Sequence, residues 1–130
     1  MMKKILIFLI ILLVASGCAS PDVSHTYKKI SMDEAIKIMS DNDDYIILDV
    51  RTFEEFEDKH IPGAICIPNE TITDKNIPEL PNKDQLILVY CRSGNRSKQA
   101  SAKLADMGYS NVYEFGGIID WPGEVVSGTK

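Results

Sequence analysis

Residues 86–109 of the chain have the sequence LILVYCRSGNRSKQASAKLADMGY, which largely decides the fold. An apolar run ends at Cys91, a polar loop with two arginines follows, and a helical pattern begins behind the loop. The run predicts a buried strand over 86–90, and the spacing of apolar residues predicts a helix over 97–107. The inward face of that helix is formed by Ala100, Leu104 and Met107.

The same alternation of strands and helices extends through most of the chain. Ser31 and Glu34 form a capping-box pattern before one predicted helix, and Thr52 and Glu55 repeat the pattern before a shorter one. Further strands are predicted over 45–50, 64–67 and 112–115, and a loop with one helical turn over 69–82. Because these strands are continuously apolar, the pattern predicts an α/β fold whose parallel sheet is covered by helices on both faces.

The loop after Cys91 combines several features that favour a thiolate. In parallel sheets ligands bind beyond the carboxyl ends of the strands, where both Cys91 and the Asp49–Arg51 segment lie. A tight loop can direct backbone N–H groups at one point, and the following helix adds partial positive charge. Arg92 and Arg96 add whole charges, so we expect a lowered pKa for Cys91. The alternative is a cysteine that serves only as a small apolar residue beside solvated arginines.

Four segments of the chain resemble the rhodanese-homology family. They are 86–97, 48–51 with 54–56, 60–64 with 67–68, and 116–117 with Trp121. The resemblance covers residues 27–126, and it implies a rhodanese-like three-layer fold around a central, mainly parallel sheet of five strands. On this basis we assign residues 30–126 to the domain and 127–130 to a C-terminal tail.

The resemblance also implies a sulfurtransferase that needs no cofactor. Cys91 is then the nucleophile that carries a sulfane sulfur as a persulfide, received from a donor such as thiosulfate and passed to a thiol or cyanide. The implied substrate-binding residues are those of the loop, whose backbone N–H groups would cradle the persulfide: Arg92, Ser93, Gly94, Asn95 and Arg96.

Supporting roles follow for three further residues and for the two arginines. Arg92 is expected to contact the anionic donor, and Arg96 is expected to close the loop. Asp49 and Arg51 either orient the loop from the neighbouring strand or form a purely structural ion pair. Ser97 is expected to be the N-cap of the helix that follows the loop.

Two other functions remain open. The first is a sulfur carrier or binding module that serves one protein partner. The second is a cysteine phosphatase or arsenate reductase, which we rank below sulfur transfer. The phosphatase motif has five residues between its cysteine and arginine, whereas four separate Cys91 from Arg96, and Tyr90 stands where that motif has histidine.

Composition limits the partners. The formal net charge is −5 at pH 7, which disfavours nucleic acid, so we expect small sulfur-containing anions, thiols or a protein sulfur acceptor. His25 and His60 are the only histidines and show no metal-ligand spacing, so we predict no metal. Cys66 either takes part in sulfur relay, forms a disulfide with Cys91 or is a buried strand residue.

The first residues have the order of a secretory signal: two lysines, ten apolar residues and a small-residue site. The segment 15–18 resembles the lipobox of bacterial lipoproteins, with Ala15 where that motif usually has leucine. This resemblance implies a signal peptide over 1–17, lipidation at Cys18 and a tether over 18–29. We therefore expect a protein of the bacterial cell envelope, held to a membrane by lipid and facing away from the cytoplasm.

Overall fold

The computed structural model of the protein describes residues 26–130. The predicted signal peptide, the predicted lipidation site at Cys18 and most of the predicted tether lie outside these residues. Within 26–130, no helix is both long enough and apolar enough to cross a membrane.

Strands and helices alternate along the described chain. The strands are β1 (Lys28–Lys29), β2 (Ile46–Asp49), β3 (Ile65–Cys66), β4 (Ile87–Cys91) and β5 (Val112–Gly117). The helices are α1 (Met32–Asp41), α2 (Phe53–Asp58) and α3 (Asn95–Asp106), with short 3₁₀ turns at Asn69–Thr71 and Ile118–Asp120. The four strands predicted from apolar runs and the helical turn predicted within 69–82 are confirmed.

The five strands form one sheet in the order β1-β5-β4-β2-β3, and all neighbouring strands are parallel. Side chains of successive strand residues point to opposite faces, so Leu48 and Val89 join the apolar cluster beneath α3. Ile47 and Leu88 join the cluster on the other face, which contains residues of α1 and α2. The predicted rhodanese-like α/β fold, with helices on both faces of a parallel sheet, is confirmed.

Side-chain caps fix the starts of the first two helices. The Thr52 hydroxyl accepts the Glu55 N–H at 3.2 Å, and the Glu55 carboxylate accepts the Thr52 N–H at 3.3 Å, so the predicted capping box before α2 is confirmed. Before α1 the Ser31 hydroxyl accepts the Glu34 N–H at 3.1 Å. The Glu34 carboxylate instead accepts the Ser31 hydroxyl, so this box is only half formed.

Helix α3 begins two residues earlier than predicted, and this changes the role of Ser97. Gly94 is the N-cap, with a φ of +108°, a value that favours glycine. The prediction that Ser97 caps the helix is therefore wrong, because Ser97 is already the third residue of α3.

Both ends of the domain are paired more extensively than predicted. β1 lies within the predicted tether of residues 18–29. It pairs with β5 through its backbone, and it has no apolar pattern from which a strand could be predicted. In the predicted C-terminal tail, the Gly128 N–H donates to the Glu57 carbonyl at 2.8 Å. The Ser127 hydroxyl donates to the Asp58 carbonyl at 2.8 Å, so this segment lies against α2.

Candidate active site

The loop between β4 and α3 wraps around the sulfur of Cys91. Cys91 is the last residue of β4 and is 1% exposed. The Gly94 N–H donates to Cys91 Sγ at 3.0 Å, and Ser97 Oγ lies 3.4 Å from the same sulfur. The loop therefore directs a backbone N–H at the sulfur, as its sequence predicts, and the thiol in turn contacts the Ser97 hydroxyl.

These donors set the acidity of the thiol. Burial by itself would raise the pKa of Cys91, but hydrogen bonds from the Ser97 hydroxyl and from the N–H groups of Ser97, Gly94 and Ser93 outweigh it. The pKa is lowered below its ordinary value, as predicted. The main lowering contacts come from a hydroxyl and the backbone rather than from the arginines.

The end of β5 supports the loop from the side. A side chain at Gly117 would collide with the backbone carbonyl of Arg92, so only glycine allows this close approach. The Ile119 N–H donates to the same carbonyl at 3.3 Å. The side chains of Arg92, Ser93 and Asn95 are exposed at the rim of the loop.

Arg96 does not close the loop in the manner predicted from the sequence. It is the second residue of α3, and its guanidinium binds both carboxylate oxygens of Glu55 on α2, at 2.6 and 3.0 Å. Hydrogen bonds from Arg96 lower the pKa of Glu55 to about 2, although partial burial opposes the shift. The two residues thus join the start of α3 to the start of α2 beside Cys91.

Asp49 and Arg51 form a buried ion pair at the end of β2. Arg51 Nη2 lies 2.7 Å from Asp49 Oδ2 and also donates to the Lys59 carbonyl at 2.7 Å. Among the hydrogen bonds of the described residues, none joins either side chain to the loop 92–96. This geometry is that of the structural ion pair, the second of the two roles considered for these residues.

Sequence reasoning missed Glu114, a buried acid beneath the loop. Glu114 Oε1 accepts hydrogen bonds from Ser97 Oγ and from the Gly116 N–H, both at 2.8 Å. Glu114 therefore contacts Cys91 through one intervening hydroxyl. A single charged residue between Tyr113 and Phe115, inside an otherwise apolar strand, is the signal that would have found it.

Cys66 is placed differently from Cys91. It is half-buried at the end of β3, and its thiol donates to the Arg51 carbonyl at 3.6 Å. Burial raises the pKa of Cys66 to about 12. Both cysteines of the described chain are free, so they form no disulfide with each other here.

No group of three metal-ligating side chains occurs within residues 26–130. His60 is fully buried, and its Nδ1 lies 2.8 Å from the Phe56 carbonyl. Its ring stacks on that of Phe56 with centroids 3.7 Å apart. His60 is thus a packing residue that stacks on Phe56.

The chain is similar to several curated proteins whose names refer to sulfur transfer. The chain is 37% identical over 73 residues to the thiosulfate sulfurtransferase PspE of Escherichia coli, covering 56% of this chain and 70% of PspE. It is 38% identical over 93 residues to the putative sulfur carrier protein YrkF of Bacillus subtilis, covering 70% and 49%. It is 42% identical over 92 residues to the adenylyltransferase and sulfurtransferase UBA4 of Meyerozyma guilliermondii. That match covers 65% of this chain and only 22% of UBA4.

Solved structures and the family model agree with these relatives. A rhodanese from E. coli solved with anions superposes with a TM-score of 0.59 at 35% identity, covering 65% of this chain and 99% of that one. A rhodanese-like domain protein of Staphylococcus aureus superposes with a TM-score of 0.65 at 34% identity, covering 75% and 93%. The sequence model of the rhodanese-like domain family matches residues 31–124, which contain the Cys91 loop and Glu114. The chain belongs to the rhodanese-like domain family, and its relatives here include proteins named as sulfurtransferases and one named as a putative sulfur carrier.

Proposed function

We propose that the protein is a sulfurtransferase that moves a sulfane sulfur through a persulfide on Cys91. The observation that carries the proposal is the Cys91 sulfur itself, held by N–H and hydroxyl donors that lower its pKa. A thiolate is the nucleophilic form of cysteine, and the same donors can hold negative charge on sulfur during reaction.

The proposed reaction has two steps. With thiosulfate, the Cys91 thiolate attacks the outer sulfur, the sulfur–sulfur bond of the donor breaks, and sulfite leaves with the bonding electron pair. The product is a persulfide anion whose charge the loop N–H groups stabilise. A thiolate or cyanide then attacks the outer sulfur and forms a bond to it. The sulfur–sulfur bond to Cys91 breaks, and the Cys91 thiolate is restored.

The loop side chains have separate proposed roles. Arg92, exposed at the rim, attracts the anionic donor, together with the exposed Ser93 and Asn95. Gly94 supplies an N–H to sulfur and the backbone conformation that turns the loop. Arg96, bound to Glu55, adds positive potential from a fixed position.

A carrier that hands sulfur to one protein partner is the second candidate. The similarity to a putative sulfur carrier favours it, and both functions use the same persulfide. A phosphatase or arsenate reductase is disfavoured because four residues separate Cys91 from Arg96, which leaves a smaller ring for a tetrahedral anion.

We further propose the bacterial cell envelope as the location, on the basis of the signal-like sequence of residues 1–17 and the lipobox resemblance at Cys18. Cleavage before Cys18 and acylation of its sulfur would tie the domain to a membrane surface. Mass spectrometry of the N-terminal peptide from cells that express the full chain tests this location. An uncleaved, unmodified N-terminus would contradict it.

The test of the function is the intact mass of the protein after treatment with thiosulfate and removal of excess donor. We expect a gain of one sulfur atom that cyanide removes. Cys91→Ser is the matched control, since it changes one atom and is expected to fold without gaining sulfur. A wild type that is folded and reduced but gains no sulfur from thiosulfate or from a small persulfide would refute the proposal.

A further inference from the structure

Glu114 is a buried carboxylate whose position beneath the active-site loop calls for an explanation. It is completely buried, and both of its hydrogen-bond donors, Ser97 Oγ and the Gly116 N–H, bind Oε1. Glu114 Oε2 has no hydrogen-bond partner within residues 26–130. A buried carboxyl group with one oxygen unpaired is costly, so this site does not serve stability well.

Ser97 stands between this carboxylate and the sulfur. Its hydroxyl donates to Glu114 Oε1 at 2.8 Å, lies 3.0 Å from the Gly94 carbonyl oxygen and accepts from the Cys91 thiol at 3.4 Å. It has a single proton to donate. When Cys91 is a thiolate, its sulfur competes with Glu114 Oε1 and the Gly94 carbonyl for that one proton. A charged Glu114 would also repel negative charge on Sγ in this buried region.

Resting on the function proposed above, we propose that Glu114 is a positioning residue that favours the sulfur-loaded form of the protein. It disfavours negative charge on Sγ of Cys91, whereas in the persulfide the charge lies on the outer sulfur. Ser97 Oγ contacts Sγ, and in this proposal the outer sulfur adds on the side of Sγ away from that hydroxyl, farther from the carboxylate. The charge thereby moves away from Glu114 and towards the donors of the loop.

The balanced exchange makes the effect measurable. A small persulfide RS–S⁻ and the Cys91 thiolate give RS⁻ and the Cys91 persulfide, so one sulfur–sulfur bond breaks, one forms and no external oxidant is needed. The number of negative charges is the same on both sides. Only the distance of the protein's negative charge from Glu114 changes, so the loaded fraction reports the influence of this carboxylate.

The other charged groups around Cys91 and Glu114 are either in ion pairs or exposed. Arg96 pairs with Glu55 and Arg51 pairs with Asp49, so these charged side chains of α3, α2 and the end of β2 have partners. The charged side chains of the two other elements packed nearby are exposed: Lys28 and Lys29 on β1, and Asp33 and Glu34 on α1. Glu114 is therefore the one buried acid of the described chain that contacts Ser97.

The first arm of the test measures the pH midpoint of Cys91 alkylation by iodoacetamide in the full chain, followed on the Cys91 peptide. Glu114→Gln keeps an oxygen for the Ser97 and Gly116 donors but removes the charge. We expect its midpoint to fall by about one pH unit, since a like charge is removed. Glu54→Gln removes the same charge from an exposed position on α2 and should match wild type. Glu114→Asp keeps the charge and should stay near the wild-type midpoint.

The second arm measures sulfur loading at equilibrium. Wild type and Glu114→Gln are incubated with glutathione persulfide and glutathione at a fixed ratio, and the loaded fraction is read by intact mass. We expect the ratio of loaded to unloaded protein to fall by up to about tenfold in Glu114→Gln, the limit set by a one-unit change in thiol acidity. Glu54→Gln is expected to load like wild type.

Several results would overturn the proposal. Ser97→Ala removes a donor to sulfur and is expected to raise the alkylation midpoint. A rise in Glu114→Gln as well would mean that Glu114 only holds Ser97 in place, and an unchanged midpoint would mean that its charge is not felt at Sγ. Glu114→Met is a second uncharged variant, and failure of both uncharged variants to fold would assign Glu114 to stability instead. If wild type never loads sulfur, the proposed function fails, while the alkylation arm still decides whether Glu114 opposes charge on Cys91.

Discussion

Cys91 and Cys66 are the last residues of two strands of the same parallel sheet, so both lie at the carboxyl ends of its strands. The pKa values of their thiols are nevertheless shifted in opposite directions. Burial raises the pKa of Cys66 to about 12, although this residue is the more exposed of the two. Hydrogen bonds lower the pKa of Cys91, which is 1% exposed. Exposure therefore does not decide which of the two thiols is the more acidic.

The difference lies in where the backbone N–H groups after each cysteine point. After Cys66, the Ile67 N–H stays in the sheet and donates to the Asp49 carbonyl at 3.0 Å, and Pro68 has no N–H. The sulfur of Cys66 faces a carbonyl, which favours the protonated thiol. After Cys91 the chain turns, and the N–H groups of the loop point back at the sulfur. Acidity at a strand end thus depends on whether the next residues leave the sheet.

The largest expected effect separates the two cysteines by substitution. Cys91→Ser is expected to lower sulfur transfer from thiosulfate to cyanide by roughly a thousandfold or more, because the carrier atom is lost. Cys66→Ser is expected to keep most of the activity, since its thiol faces a carbonyl away from the loop. Steady-state rates of thiocyanate formation measure both, and a comparable loss in Cys66→Ser would indicate a sulfur relay between the two.

The second prediction compares the reactivity of the two thiols in one molecule. A thiol with a lowered pKa forms its thiolate at lower pH, so alkylation of Cys91 reaches its full rate at a lower pH than alkylation of an ordinary cysteine. Cys66 remains protonated at neutral pH. We expect iodoacetamide at pH 7 to modify Cys91 at least about 100-fold faster than Cys66, because only the thiolate reacts. Peptide mass spectrometry over time gives both rates. Equal rates would mean that access, rather than acidity, controls reactivity.

The third prediction concerns the glycines beside the two cysteines. Gly117→Ala would push the Arg92 carbonyl aside and displace the loop, which we expect to slow sulfur transfer about 100-fold. Gly63→Ala, before β3, meets no neighbouring atom but has a φ of +82°, so we expect a loss of about 1–2 kcal/mol of stability and unchanged chemistry. Denaturant unfolding and transfer rates separate the two effects. An active Gly117→Ala variant would show that the loop tolerates displacement.

The smallest expected effect concerns the Arg96–Glu55 pair. In Arg96→Ala the pKa of Glu55 should return from about 2 towards its ordinary value, measured by carboxyl NMR. Because the pKa of Glu55 is depressed, the pair stabilises the fold fully at pH values above the ordinary carboxyl pKa. This stabilisation is lost as the pH falls through the folded-state pKa of about 2. The pair is partly exposed, so we expect a loss of only about 0.2–1 kcal/mol at neutral pH.

Glu55→Gln is the matched variant for donor binding, since it leaves the Arg96 charge in place. We expect Arg96→Ala to raise the KM for thiosulfate several-fold and Glu55→Gln to leave it near wild type. Equal increases in both variants would assign the effect to the geometry of the pair rather than to the charge of Arg96.

The parts of the molecule that the sequence predicted are the local ones. The capping box before α2 spans four residues, and the Cys91 loop is a continuous segment, so neighbouring residues carry the information. β1 was not predicted as a strand, because two exposed lysines show no apolar period and their pairing depends on β5.

The site residues that the sequence misplaced depend on distant elements. Ser97 is not the N-cap because α3 begins at Asn95 behind the N-cap Gly94, and its hydroxyl reaches Glu114 only because β5 lies beside β4. The partner of Arg96 is 41 residues away in the sequence. No local pattern around Arg96 identifies Glu55 as that partner.

The contact from the Gly94 N–H to the Cys91 sulfur makes this amide a reporter of the sulfur's chemical state. A neutral thiol is a weak acceptor, whereas a thiolate accepts strongly, so the amide proton resonance should move downfield as Cys91 ionises. Exchange of the same proton with deuterium should slow at the same time. A titration followed at this one backbone position would therefore read the charge of the nucleophile without any reagent that consumes it.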